Sequence, residues 1–266
     1  MPVEHDITTV GGRCTTTVAS HGAGPPLLYL HGPFGLVEHA FVDRLAARHT
    51  VYVPAHPGFT GTTGAESLGP TMFDLALHYE ELIRGLGVEP PLTVVGHSYG
   101  AMIAAEVAAI WPNLVDRLAL ISPLGIWLDD APQPDLFGLT PRALAAAVFA
   151  DASSPAATGM FRPPEDRAAA AEWNARRRQS AVGAAKYLWP LPDRGWRTRA
   201  HRVRATTRLI WGVEDKVVPP QPYAAAFSAA LPGSVVTTVE DAGHMVVLER
   251  PDAVADCVLC DVAPTN

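Results

Sequence analysis

L-T-V-V-G-H-S-Y-G-A, residues 92–101, carries an apolar, β-branched run into Gly96 and sets Ser98 between two glycines. A short run of this kind reads as a strand buried on both faces of a sheet. The residues that follow, Y-G-A-M-I-A-A-E-V-A-A-I-W from Tyr99, read as a helix. Ser98 then stands on a sharp strand-to-helix turn. Glycines at 96 and 100 remove the Cβ atoms that would collide across such a turn. The helix N-terminus behind the serine offers free N–H groups and the positive end of a dipole to a developing oxyanion.

Outward from this turn, strand-like and helix-like segments alternate. Apolar runs at 26–32, 50–58, 92–96, 116–123, 207–212 and 234–240 are short, rich in Val, Ile and Leu, and bounded by Gly or Pro. Residues before 26 read as a hairpin turning at Gly11-Gly12. Between the runs lie helical patterns such as M-F-D-L-A-L-H-Y-E-E-L-I-R-G-L-G, with Phe73, Leu75, Leu77, Leu82 and Ile83 expected mostly on one side. This order predicts an α/β class fold, a doubly wound, mostly parallel sheet of eight strands covered by helices.

The alternation breaks once. From 126 to 203 there are helical stretches joined by Pro-rich loops and no buried strand pattern, and Trp127, Trp173, Trp189 and Trp196 all fall here. The segment 126–203 reads as a helical cap inserted after the sixth strand, between core segments 1–125 and 204–266.

Composition narrows the function. Hydrophobic residues make up 48% of 266, enough for a large core, and the net charge of −7 argues against a nucleic-acid partner, which needs a basic face. The N-terminal M-P-V-E-H-D-I-T-T-V has no signal-peptide pattern, and the most apolar helix is short and broken by Glu106, so neither secretion nor a membrane partner is expected. Cys14, Cys257 and Cys260 cannot all pair, which points to a reducing, cytoplasmic setting. Cys257-Val-Leu-Cys260 lies late in the last helix, without the helix N-terminus that activates a thiol, and reads as packing.

A serine hydroxyl is a weak nucleophile until a base takes its proton and a carboxylate orients that base. Of the ten histidines, His244 follows the last strand in V-E-D-A-G-H-M-V-V-L-E-R-P and projects over the same sheet edge as Ser98. The acid is expected at the end of the preceding strand, where W-G-V-E-D-K-V-V-P offers Asp215 with Glu214 beside it. Asp241 is too near His244 in sequence to reach round it. His97 is expected to point away from the turn.

The chain from about residue 7 to 262 resembles the α/β-hydrolase fold superfamily, in its cap-bearing branch of serine esterases and meta-cleavage-product hydrolases. Four motifs carry the resemblance: H-G-P-F-G, G-H-S-Y-G, W-G-V-E-D-K-V-V-P and G-H-M-V-V-L-E-R-P, in that order. It implies a Ser98–Asp215–His244 triad and an oxyanion hole whose first donor is the N–H of Tyr99. Many relatives take the second donor from the residue after H-G, but here that residue is Pro33, which has no N–H. Loss of one donor costs about 100-fold to 1,000-fold in rate, so Phe34 is expected to donate instead.

The expected reaction is hydrolysis of a carboxylic ester, lactone or thioester of a small, mainly apolar substrate through an acyl-enzyme, with no cofactor and no metal. Phe34, Tyr99, Trp127, Phe137, Trp189 and Met245 are the expected substrate contacts, and the chain is expected as a monomer or homodimer. Met245 stands where carbon–carbon bond hydrolases usually carry tryptophan, which makes that chemistry the alternative. A hydrolase-like small-molecule receptor with weak turnover is another. The cap's second half is basic (Arg176, Arg177, Arg178, Lys186, Arg194, Arg197, Arg199, Arg202, Arg204), a face open to an anionic substrate or simply to water.

Overall fold

A computed structural model describes residues 2–37 and 39–260. Residues 261–266, which the sequence reading assigns to the core, lie outside the described residues.

β1 (Val3–Thr9) and β2 (Cys14–His21) form an antiparallel hairpin. It closes over Gly11 and Gly12, whose φ values of 62° and 87° are open to glycine at little cost. β2 pairs antiparallel with β4 (Thr50–Pro54). Beyond it β3 (Pro26–Leu30), β6 (Leu92–His97), β7 (Val115–Ile121), β8 (Thr206–Gly212) and β9 (Val235–Val239) join in parallel. The order is β1-β2-β4-β3-β6-β7-β8-β9. Among the described residues the sheet has nine strands rather than the expected eight, because β5 (Thr62–Thr63) pairs with Thr15 and Thr16 of β2 beside that path. Two polar residues leave no apolar run to read.

Strand alternation divides the core into two layers. Leu28, Leu30 and Val94 face one cluster with α2 (Met72–Gly85), α3 (Tyr99–Ile110) and α7 (Pro220–Ala230). Leu27, Tyr29 and Val95 face the other, with α1 (His39–Ala46), α8 (Val246–Glu249) and α9 (Pro251–Leu259). On α2 the buried face is Met72, Leu75, Ala76, Tyr79, Leu82 and Ile83. Phe73 and Leu77, expected there, are turned outward at 53% and 36% exposure. They form a neighbouring i, i+4 stripe, so apolar character alone assigned them to the wrong face. The Thr71 hydroxyl caps this helix by accepting from the Asp74 N–H, and the Asp74 carboxylate accepts in return from the Thr71 N–H.

Between β7 and β8 the chain is helical: α4 (Pro141–Val148), α5 (Pro155–Phe161) and α6 (Arg167–Leu188), followed by two short 3₁₀ turns. Several arginines of its basic run have a structural task. Arg202 donates to the carbonyls of Ala109 and Ile110 at the end of α3, and Arg194 to those of Tyr187 and Trp189 at the end of α6. Terminal helix carbonyls lack intrahelical partners and carry the negative end of the dipole, so cationic donors suit both. Glu106, buried in α3, is paired with Arg199 at 2.8 Å. No helix among the described residues is long and apolar enough to cross a membrane.

α3 lies hard against the end of β3. A Cβ on Gly100 would sit 1.9 Å from the carbonyl oxygen of Leu30 and 2.6 Å from that of His31, and one on Gly96 would sit 2.5 Å from the Cα of Ala101. These obstructions are backbone and have no rotamer to escape into. Gly100→Ala is expected to lower unfolding free energy by about 3 kcal/mol or more, measurable as a shift in urea midpoint.

Candidate active site

Ser98 follows β6 directly and precedes α3, with φ 54° and ψ −111°. A non-glycine residue holds this region only where its surroundings enforce it. The Ser98 N–H donates to the carbonyl of Ile121 (2.8 Å), while its own carbonyl accepts from the N–H of Met102 at 3.1 Å. The turn points Oγ at His244, whose Nε2 lies 2.8 Å away. His244 Nδ1 lies 2.9 Å from Oδ2 and 3.2 Å from Oδ1 of Asp215. Oδ1 also accepts from the N–H groups of Val217 and Val218, each at 2.9 Å. A carboxylate only accepts, so the ring proton belongs on Nδ1 and the Nε2 lone pair faces Ser98 Oγ.

The structure thus brings Ser98, His244 and Asp215 into one line. Of the neighbouring carboxylates, Glu214 is exposed. Asp241 is on the surface, 3.3 Å from Arg250. His97 is buried beneath the turn, where its Nε2–H donates to the His244 carbonyl at 2.9 Å. A Cβ on Gly212 would meet the carbonyl oxygens of Ala242 and Gly243 at 2.3 Å, so that glycine lets the acid loop and the histidine loop lie together.

The segment expected to carry the second donor begins at His31. Pro33 and Phe34 form a turn there, and the close approach of Gly100 to Leu30 and His31 sets this turn against the start of α3. Tyr99 is the first residue of that helix, so its N–H has no intrahelical acceptor.

The expected substrate contacts divide. Trp127, Phe137 and Trp189 line one apolar pocket of about 140 Å³, together with Leu124 and Val217. Phe34 lines a separate cleft of about 810 Å³ with Met160, Trp173, Arg177 and Ser180. The Arg177 guanidinium lies over the rings of Trp173 and Phe161, 4.7 and 4.9 Å from their centroids, and burial lowers its pKa. The side chains of Tyr99 and Met245 are fully buried, Tyr99 with its ring 5.0 Å from that of His56. Ser98 and His244 have no exposed surface either, so in this closed arrangement neither cleft reaches them. The Cys257 thiol is pushed up by burial, the reverse of an activated thiol.

Glu249 was missed from sequence, although it stands within G-H-M-V-V-L-E-R-P. One of its oxygens accepts from the N–H of Gly243 at 2.8 Å and the other from the N–H of Ala150 at 2.9 Å. Its carboxylate joins the histidine loop to the exit of α4, and Met245 N–H adds a bond to Val148 at 2.9 Å. Gly243 has no room for a Cβ, since Ala150 N would lie 2.7 Å from it.

A strand-to-helix turn bearing serine, with an acid and a histidine at later strand ends of a mostly parallel sheet, defines the α/β-hydrolase class. The model of the alpha/beta hydrolase family matches residues 20–257, and the chain belongs to that family. Pimeloyl-[acyl-carrier protein] methyl ester esterase of Aromatoleum aromaticum is 30% identical over 258 residues, covering 88% of this chain and 96% of that protein. Lipase 1 of Psychrobacter immobilis is 26% identical, covering 88% of this chain and 75% of its own length. Among solved structures, the meta-cleavage product hydrolase of Pseudomonas fluorescens IP01 superposes with a TM-score of 0.76 at 20% identity, covering 96% of this chain and 95% of that one.

Glu249→Ala leaves two partly buried N–H groups without their acceptor, at about 1–3 kcal/mol each. The melting temperature is expected to fall by roughly 5 °C or more, measured by calorimetry.

Proposed function

We propose that the protein is a serine hydrolase of carboxylic esters, acting on a small, mainly apolar substrate through an acyl-enzyme. The observation that carries this reading is the line Ser98 Oγ–His244 Nε2 (2.8 Å) and His244 Nδ1–Asp215 Oδ2 (2.9 Å), built on a serine held at φ 54°. The 30% identical relative named as a methyl ester esterase supports an ester over a carbon–carbon bond as the bond cleaved.

In this reading His244 Nε2 takes the Oγ proton as Oγ adds to the ester carbonyl carbon. The resulting oxyanion lies between the N–H of Tyr99 and that of Phe34, the donor that Pro33 lacks. Collapse breaks the bond to the leaving alkoxide, and His244 returns the proton to it. Water then adds to the acyl-Ser98 carbonyl, losing its proton to His244, and the acid leaves as Oγ recovers the proton. Asp215 holds the imidazole in the Nδ1–H tautomer and opposes the positive charge it gains. Segment 126–203 acts as the cap, with Trp127, Phe137 and Trp189 on one side and Phe34 on the other as candidate apolar contacts. Because Ser98 is fully buried, some rearrangement of the chain around it must precede substrate entry.

A panel of nitrophenyl esters of two to eight acyl carbons, with a fluorophosphonate probe, tests the assignment. Turnover and labelling are expected, with both lost in Ser98→Ala by ~10⁴-fold or more and labelling kept in Cys257→Ala. No turnover of any chain length together with an unlabelled Ser98 sinks the reading.

A further inference from the structure

The loop proposed to carry the second oxyanion donor is anchored from below by a buried histidine. His56 lies in P-A-H-P-G, after β4, and has no exposed surface. Its Nε2 is 2.8 Å from the carbonyl oxygen of His31. A carbonyl only accepts, so Nε2 carries the proton. Nδ1 must then accept, and it does so from the hydroxyl of Tyr79, which is equally buried on α2. Burial holds the imidazole neutral, its pKa well below the usual value for histidine, and holds the Tyr79 phenol protonated well above its own. Tyr79 thereby fixes the one tautomer that can grip His31.

The next carbonyl is pinned as well. His31 Nδ1 lies 2.8 Å from the carbonyl oxygen of Gly32, to which it donates, and the His31 ring packs 4.0 Å from the His56 ring. Proline fixes its own φ near −65°. With the carbonyls of residues 31 and 32 held and φ of Pro33 closed, only ψ of Pro33 remains between the anchored chain and the Phe34 N–H. On the other side, Gly100 brings the start of α3 within contact of the carbonyls of Leu30 and His31. Two backbone N–H groups aimed at one oxyanion need this kind of fixed separation, because their value comes from requiring no reorganisation during reaction.

We propose that His56, oriented by Tyr79, is a positioning residue for the oxyanion hole, setting the Phe34 N–H against that of Tyr99. The inference rests on the ester-hydrolase reading of Ser98. It accounts for how the chain tolerates proline at 33: the donor moves one residue further along, and an anchor beneath the loop holds it there.

The test compares His56→Leu, His56→Gln and Tyr79→Phe with the parent protein. For each, kcat and KM on a nitrophenyl ester are measured with the inhibition constant of an aryl trifluoromethyl ketone, whose adduct with serine is an oxyanion. His56→Leu is expected to lower kcat about 10-fold to 100-fold with KM changed less than about twofold, and to weaken the ketone by the same factor as kcat/KM. His56→Gln, whose amide N–H reaches the same carbonyl, is expected to recover most of both. Tyr79→Phe frees the imidazole to take the other tautomer, and a parallel loss of about threefold to 10-fold is expected. If His56→Leu does not fold, Tyr79→Phe alone decides. Variants that match the parent in kcat and in ketone affinity overturn the proposal. So does a loss of activity that only follows the fraction of folded, titratable sites. A parent protein that neither turns over esters nor binds the ketone refutes the ester-hydrolase reading instead.

Discussion

The contact on which this structure depends is one of backbone on backbone. The first turn of α3 rests on the carbonyls of Leu30 and His31 with no space for a side chain at Gly100. It is made possible by a serine backbone that turns from strand to helix in a single residue. From it follow the direction of Ser98 Oγ, the distance between helix N-terminus and the 31–34 loop, and the burial of α3 among strands and neighbouring helices. Burial on nearly all faces then obliges Glu106 to find Arg199, and the exposed end of α3 to find Arg202. A local conformational rule thus determines where charges at the far end of the helix must lie.

Much of this was legible in the sequence because it rests on local rules. Buried parallel strands have short apolar runs, turns have glycines, and Ser98, Asp215 and His244 each lie at a strand end, where the sheet itself brings them together. What was illegible depends on distance. Asp215 and Glu214 are adjacent in sequence and separate only by burial and by the N–H groups of Val217 and Val218. His56 reads as an ordinary loop histidine, since its meaning comes from Tyr79, a helix away, and from His31. Phe73 and Leu77 are as apolar as their buried neighbours, and only the packing of α2 turns them out.

The segment between β7 and β8 shows the same contrast. Three of its aromatic residues expected at the substrate, Trp127, Phe137 and Trp189, share a pocket, while Phe34, outside the segment, lines another. Its basic residues suggested an electrostatic face, yet Arg194 and Arg202 are directed at helix ends. Composition indicates that charge is present; geometry decides which partner it has. Arg177, laid over two rings and bonded to the carbonyl of Met160, is held by aromatic faces rather than by a carboxylate.

Glu249 binds Gly243 and Ala150 with a single carboxylate, which joins two parts of the chain that divergence could otherwise alter separately. A substitution that reshapes the chain after α4 also displaces the loop bearing His244, and the reverse holds. Variation that changes what is admitted at this corner is therefore not independent of variation that changes how the histidine sits. Freer adaptation is left to α5 and α6, which lie outside this bridge. The 148–150 turn and the histidine loop are thereby bound to change together or not at all.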